Sequence, residues 1–510
     1  MINNFIANRI RANFGFEPTP EQADVIGKLS DFLLDDGCRF QHEGDLGEVF
    51  LLHGFAGTGK TSLVSALVKA LDQLRQRCVL MAPTGKAAKV FALYSGHPAF
   101  TIHRRIYRQR SLAGEASFAL GDNLSKNTLF IVDEASMIGD DAYGSIFGSG
   151  RLLEDLLRFV YSGEGCRLLL LGDSAQLPPV GQEASPALSC MVLQEYGLRV
   201  REASLTTVMR QSEISGILHN ATAIRERIAT LLSPEGGALL SAPLPLRCLP
   251  DVQAISGGEL VEKLSDSYNQ TGTDETIVVC RTNKNANIYN RGIRATILYR
   301  EEELTSGDRV MIVKNNYFWL KENRPAAPSE TPEDGVSAQQ SLPDFLANGD
   351  MGIVRRVRRV REMYGFRFAD VTLELPDYDD FEISATMLLD TLTSESPSLT
   401  KDEGEHLFNS VMEDYKHIST KEERYKQLRE NPYYNALQIK FAYAVTCHKA
   451  QGGQWDTVFL DQGWLPPEAA GTVDYYRWLY TAITRATRRV FLVNWRKEEV
   501  ELPPETSSRR

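Results

Sequence analysis

The sequence has no apolar run approaching 18 residues, no surplus of basic charge, and no C-x-x-C pair among Cys38, Cys78, Cys166, Cys190, Cys248, Cys280 and Cys447. Each absence excludes a class. Without a long apolar run a helical membrane span is not expected, and MINNFIANRI at the N-terminus lacks the apolar core of a secretory leader. Seven cysteines without paired spacing fit reduced, mostly buried thiols in a cytoplasmic protein rather than a disulfide framework. A net charge of -11 argues against a protein that coats nucleic acid through its overall charge, although a few Lys and Arg on one face still allow a local groove. With 510 residues and 43% hydrophobic content, the chain can build a sizeable core, divided into about three domains or two with insertions.

What is present centres on HGFAGTGKT, His53 to Thr61. An apolar run, Val49 to Leu52, reads as a buried parallel strand, and a helical pattern follows from Ser62 to Leu74. Gly54, four residues, then Gly59-Lys60-Thr61 fits the phosphate loop G-x-x-x-x-G-K-[ST] in the strand-loop-helix context it requires. In such a loop, glycines let the N–H groups of Ala56, Gly57, Thr58, Gly59 and Ser62 turn toward a polyphosphate at a helix N-terminus. Lys60 is then expected at the β/γ-phosphates, and the Thr61 hydroxyl at Mg²⁺.

Further strand-end segments carry chemistry. TLFIVDEASMI ends a buried strand in Asp133-Glu134, an acidic pair that is costly to bury without a task. Beside a phosphate loop, Asp133 is the expected Mg²⁺ partner and Glu134 the base or water-positioner; a helix cap is the plainer alternative for Glu134. In CRLLLLGDSAQLPPVG, Gln176 sits at a strand end where it can sense the γ-phosphate or its attacking water. Thr19-Pro20-Glu21-Gln22 forms a capping box, which explains Gln22 structurally, with adenine recognition by its amide as the functional alternative. Pro83, Thr84 and Lys86 follow the strand Cys78 to Ala82, and read either as a phosphate contact or as an ordinary helix start.

Residues 100–122 interleave Arg104, Arg105, Arg108 and Arg110 with His103 and Tyr107. The segments 106–110 and 117–120 suit a hairpin about Gly114, either a single-strand site or a solvated charged hairpin. Arg210-Gln211 precedes a helix, and residues 231–258 carry little signal. A second α/β unit is expected from the strand Thr276 to Cys280, with GDRVMIVKNNYFW, which holds Asn315, as a further strand. Residues 321–347 read as a mobile loop and 399–429 as charged surface helices. Between them, short β runs from 348 to 389 suggest a small barrel, whose Arg355, Arg356, Arg358, Arg359 and Arg361 are a wet strand face or a polynucleotide contact. The α/β pattern resumes at Gln438, with Thr446, His448, Gln451 and Gly452 after a strand and Arg485 at the end of the last helix.

The ordered segments GFAGTGKT, APTGKAA, TIHR, FIVDEASMI, LGDSAQLPPVG, VMRQ, VTCHKAQG and YTAITRA resemble the motif series of superfamily 1 DNA helicases, most like the RecD and Dda type. The resemblance spans nearly the whole chain and implies an α/β fold with two RecA-like parallel-sheet motor domains. The first would cover residues 1–205 with a hairpin at about 104–122, and the second 206–348 plus 437–500. A small β-barrel with charged helices would occupy 349–436, and 501–510 would be a tail. It implies ATP between the motors, contacted by Lys60, Thr61, Asp133, Glu134 and Gln176. Arg210 and Arg485 would be arginine fingers, with Gln451 and Gly452 near the γ-phosphate. Thr84, His103, Thr446 and His448 would face DNA, with Pro83, Lys86, Arg104, Tyr107 and Asn315 beside them. The implied activity is ATP-dependent, 5′ to 3′ unwinding by a monomer, on single-stranded and tailed duplex DNA. The setting would be bacterial or phage-like, among replication, repair or recombination proteins. A loader or remodeller without strand separation, or an RNA-active relative, is the alternative.

Overall fold

The computed structural model describes residues 2–35, 46–112, 115–140, 148–208, 215–233, 244–323, 345–466 and 468–502. The chain divides into two compact units. One comprises residues 1–111, 116–281 and 446–510; the other comprises 112–115 and 282–445. Among the described residues, no helix is long and apolar enough to cross a membrane.

The first unit holds a six-stranded sheet in the order Ala99–Thr101, Arg77–Ala82, Thr128–Val132, Arg167–Gly172, Gly47–Gly54, Leu198–Leu205. All neighbours are parallel. The central strands read as unbroken apolar runs because helices cover both faces of such a sheet, and Phe50, Leu52, Ile131, Leu169 and Leu171 pack in one core with Leu63, Val64 and Leu67 of the helix Lys60–Gln73. Gly54, Val132 and Gly172 all lie at the C-terminal ends of their strands, so the loops that follow them converge on one edge.

The same unit contains a second parallel array, in the order Val252–Ile255, Ala486–Val493, Trp455–Asp461, Thr276–Cys280. The strand Val252–Ile255 falls in the stretch that carried little sequence signal, since only four residues are extended there. The helix Val473–Ile483 is buried from Tyr475 onward, and its C-terminal end leads to Arg485.

The second unit is built on a closed barrel of Arg309–Ile312, Met351–Met363, Phe366–Leu375, Phe381–Leu388 and Leu437–Phe441. This corrects the expected boundaries of 349–436, because two strands assigned by sequence to the second motor close the barrel instead. Closure pairs Val310 with Phe441 and Met387 with Leu437, partners too distant in sequence for any local pattern to join. The helices Lys401–Asp414 and Lys421–Glu430, expected as a charged pair, place Leu407, Val411 and Leu428 against Phe366, Phe368 and Leu388. Most of the expected loop at 321–347, and all but two residues of the tail at 501–510, lie outside the described residues.

Asp308 is fully buried at the start of the barrel. Its carboxylate accepts from Arg294 at 3.0 and 2.9 Å, from Arg300 at 2.7 Å, and from the Thr305 N–H at 2.8 Å. Asp308→Ala is expected to destabilise this unit by about 3 to 5 kcal/mol, because two guanidiniums lose their buried counter-charge. Calorimetry should show an early transition; an unchanged melting profile would refute the assignment.

Candidate nucleotide site and its surroundings

The phosphate loop needs glycine for two reasons. Gly57 and Gly59 have φ of 77° and 83°, and side chains there would meet Leu218 and Gln22 at 2.7 and 2.6 Å. Thr58 Oγ1 donates to the Phe55 carbonyl at 2.8 Å, which shapes the turn. Lys60 Nζ donates to the Gly54 carbonyl and lies 3.5 Å from that of Gly172, so the ammonium is held over the strand ends. Ala56, Gly57, Gly59, Lys60, Thr61 and Ser62 all line a cleft of about 660 Å³.

Asp133, Glu134, Asp173 and Gln176 line the same cleft. Burial, followed by the adjacent Glu134 carboxylate, raises the Asp133 carboxyl above its ordinary range, while Lys60 opposes the shift. Tyr94 donates to its Oδ2, and the Glu134 N–H donates to its Oδ1 at 2.8 Å. Glu134 has a φ of 53°, in the left-handed region. A hydroxyl and a carboxylate on facing loops are hard oxygen donors, so Thr61 and Asp133 fit Mg²⁺. Gln176 is buried, and its Oε1 has no hydrogen-bond partner among the described residues.

The second sheet supplies the opposite wall. Arg485 is 4% exposed; its Nε donates to the Thr481 carbonyl at 3.0 Å and its Nη1 lies 3.7 Å from Glu134 Oε1. The Ala56 N–H donates to the Tyr480 hydroxyl at 2.9 Å, and that hydroxyl donates to Asp173 at 2.6 Å. Burial pushes the Tyr480 hydroxyl well above its ordinary range, which keeps its proton in place for this bond. Thr481 accepts the Leu177 N–H at 2.8 Å, and Gln451 Nε2 donates to the Leu177 carbonyl at 2.7 Å. Gly452, Gln454 and Thr484 complete this wall.

The structure corrects some sequence assignments. Gln22 is 1% exposed; its Oε1 accepts the Thr19 N–H and its Nε2 donates to the Thr58 carbonyl. It braces the helix start against the phosphate loop, as the capping pattern implies. Gln451 holds the loop that carries Gln176 and is not a lining residue. Arg210 lies outside the described residues. Phe16, Phe55, Tyr94 and Tyr480 were missed by sequence reasoning: the two tyrosines sit on helices whose apolar faces read as core, and the two phenylalanines in loops with no pattern.

Among the expected DNA contacts, Thr84 caps the helix Gly85–Ser95 by accepting the Ala87 N–H, and Lys86 Nζ sits 3.4 Å from the Trp455 ring centre. Thr84 is brought beside Gly452, where a Cβ would meet its Oγ1 at 3.1 Å, and Pro83 directly precedes it. Thr446 precedes the short helix Cys447–Ala450, on which His448 is exposed. Burial lowers the His103 imidazole to about 4, so it is uncharged at neutral pH. Arg104 packs over the Phe100 ring at 5.1 Å. Tyr107 is 3% exposed and donates to Asp155 at 2.7 Å, which corrects its expected role as a stacking platform. Asn315, in the other unit, accepts the Asn348 N–H at 2.7 Å.

A phosphate loop, an acidic pair and an arginine from a second parallel sheet define a P-loop nucleotide site. Residues 43–232 match the AAA domain, and residues 441–493 match the UvrD-like helicase C-terminal domain. The chain is 25% identical to the ATP-dependent RecD2 DNA helicase of Deinococcus radiodurans, over 92% of this chain and 48% of that protein. It is 23% identical to an uncharacterized protein of Methanocaldococcus jannaschii, over 87% of this chain and 36% of that one. The chain thus spans less than half the length of these two curated relatives. A Pif1 helicase from Bacteroides, solved with ADP-AlF3 and ssDNA, superposes with a TM-score of 0.42 at 16% identity, over 96% of this chain and 95% of that one. By these sequence matches the chain is similar to the superfamily 1 helicases of the RecD type.

Because His103 binds its proton more weakly folded than unfolded, stability is expected to fall as pH drops from about 6.5 toward 4. His103→Asn should flatten that part of the melting-temperature profile; a profile parallel to that of the unsubstituted chain would refute the assignment. Tyr480→Phe removes the partner of two buried groups and is expected to cost about 1 to 3 kcal/mol in thermal unfolding.

Proposed function

We propose that this chain is an ATP-dependent DNA helicase that moves 5′ to 3′ on single-stranded DNA and separates duplex DNA. The observation that carries this reading is the Arg485 guanidinium 3.7 Å from Glu134, with Lys60 on the same cleft. Each of the two sheets donates groups that the other lacks. A guanidinium delivered across a cleft completes transition-state charge only while the cleft is shut, and such a group is worth roughly 10³ to 10⁵ in rate. Closure and hydrolysis are thereby coupled.

In this reading Lys60 and the loop N–H groups hold the β- and γ-phosphates of ATP. Thr61 and Asp133 hold Mg²⁺, which supplies charge neutralisation. Glu134 takes the proton of the attacking water, and the unpartnered Gln176 Oε1 orients that water. Arg210 serves as a second arginine finger. Thr84, Lys86, Thr446 and His448 form the DNA track, with the hairpin strands Tyr107–Leu112 and Glu115–Leu120 as the splitting pin. The motor lobes are taken as 1–205 and as 206–281 with 446–500, and the protein as a cytoplasmic monomer acting in replication, repair or recombination.

The test is an unwinding assay on 5′-tailed and 3′-tailed duplexes, with DNA and RNA oligonucleotides compared as ATPase stimulators. Displacement from the 5′-tailed DNA duplex alone is expected. Strong DNA-stimulated ATPase without a displaced strand would favour a loader or remodeller instead, and stronger stimulation by RNA an RNA-active enzyme. Lys60→Ala and Arg485→Ala should each lower stimulated turnover by at least about 10³ with the fold retained; wild-type rates from either variant would remove its assignment.

A further inference from the structure

A second pocket, of about 660 Å³, lies on the first sheet beside Arg77 and Thr128, the N-terminal ends of two strands. The nucleotide cleft opens at the C-terminal ends of this parallel sheet, so the two pockets occupy opposite edges. Arg75, Arg77, Arg105 and Arg108 line the second pocket, with Asn123 and Ser125. Its two carboxylates are Asp72, which holds His97, and Asp122. Among the described residues, neither forms an ion pair with any of the four arginines.

The Arg105 guanidinium is poorly satisfied. Arg105 reaches Ser125 Oγ at 3.4 Å, and its buried Nε has no acceptor among the described residues. Among the described residues, Arg108 donates to the main-chain carbonyls of Arg104, Arg105 and Tyr107, at 3.0, 3.3 and 2.8 Å. Burial and then the neighbouring Arg108 charge lower the Arg105 guanidinium below its ordinary range. Four arginines gathered in one pocket, none of them ion-paired to its two carboxylates, favour a bound anion.

We propose that this pocket is a second phosphate site, which takes the sugar-phosphate backbone of a nucleic-acid strand other than the one on the motor track. Guanidinium forks match phosphate oxygens, and four of them spread along an open pocket suit successive phosphodiesters better than one small anion. Phe159, the aromatic residue in its lining, is 2% exposed, so the site reads charge and not bases. Arg108 is the second residue of the outgoing hairpin strand, and Asp122 to Ser125 follow the returning one, so the pocket sits at the hairpin's foot. The choice of strand rests on the helicase reading above, in which the duplex parts at this hairpin.

The test uses the full chain, a labelled fork with two single-stranded tails, and labelled oligo-dT. Arg75→Gln/Arg77→Gln alters exposed residues only, and Arg105→Gln is the second variant. Without ATP, both are expected to weaken fork binding about 3-fold to 10-fold and to lower the slope of log affinity against log salt by about 1 to 2. Oligo-dT affinity and oligo-dT-stimulated ATPase should be unchanged in Arg75→Gln/Arg77→Gln. Unchanged fork affinity in both variants would overturn the proposal, as would an equal loss on oligo-dT. So would millimolar inorganic phosphate protecting the unsubstituted chain against heat while fork binding stays the same in both variants, since the site would then take free phosphate. A failed helicase reading shows instead as absent oligo-dT stimulation, because fork binding is read without ATP.

Discussion

The contacts that the helix Val473–Ile483 and Arg485 make with loops of the first sheet are the constraint on which the site depends. Tyr480 satisfies a phosphate-loop N–H and a buried aspartate with one hydroxyl, Thr481 holds the loop of Gln176, and Arg485 faces Glu134. The Thr481 and Asp173 bonds join groups buried from water, so each is costly to break unless replaced. The geometry of the phosphate loop is therefore set partly by a helix more than 400 residues away in sequence.

That arrangement also fixes the electrostatics. Asp133 and Asp173 are both buried with their carboxyls raised, and Lys60 opposes both shifts. One ammonium thus balances two aspartates, and a divalent cation held by Asp133 would relieve the same strain. Arg485 is too tightly held by Thr481 and Gly453 carbonyls to act by swinging alone; it is positioned by the helix that carries it.

Much of the first sheet was legible because buried parallel strands are continuous apolar runs and each functional loop follows one. Gly54, Gly59, Lys60 and Thr61 announce their role by spacing, since few backbones other than a phosphate loop need that pattern. The barrel was legible only in its contiguous strands; Arg309–Ile312 and Leu437–Phe441 join through pairings that leave no local trace. Tyr94 and Tyr480 were illegible for a different reason. An aromatic residue on an apolar helix face looks the same whether its hydroxyl is idle or holds a carboxylate. Gln22 shows the reverse, a residue whose capping box was legible from its spacing alone.

Glu134 occupies left-handed backbone, at a conformation most side chains adopt only with strain of about 1 to 3 kcal/mol. Asn, Asp and Gly tolerate that geometry best, yet none combines it with a carboxylate of the same reach. Local conformational preference alone therefore does not select glutamate at this position.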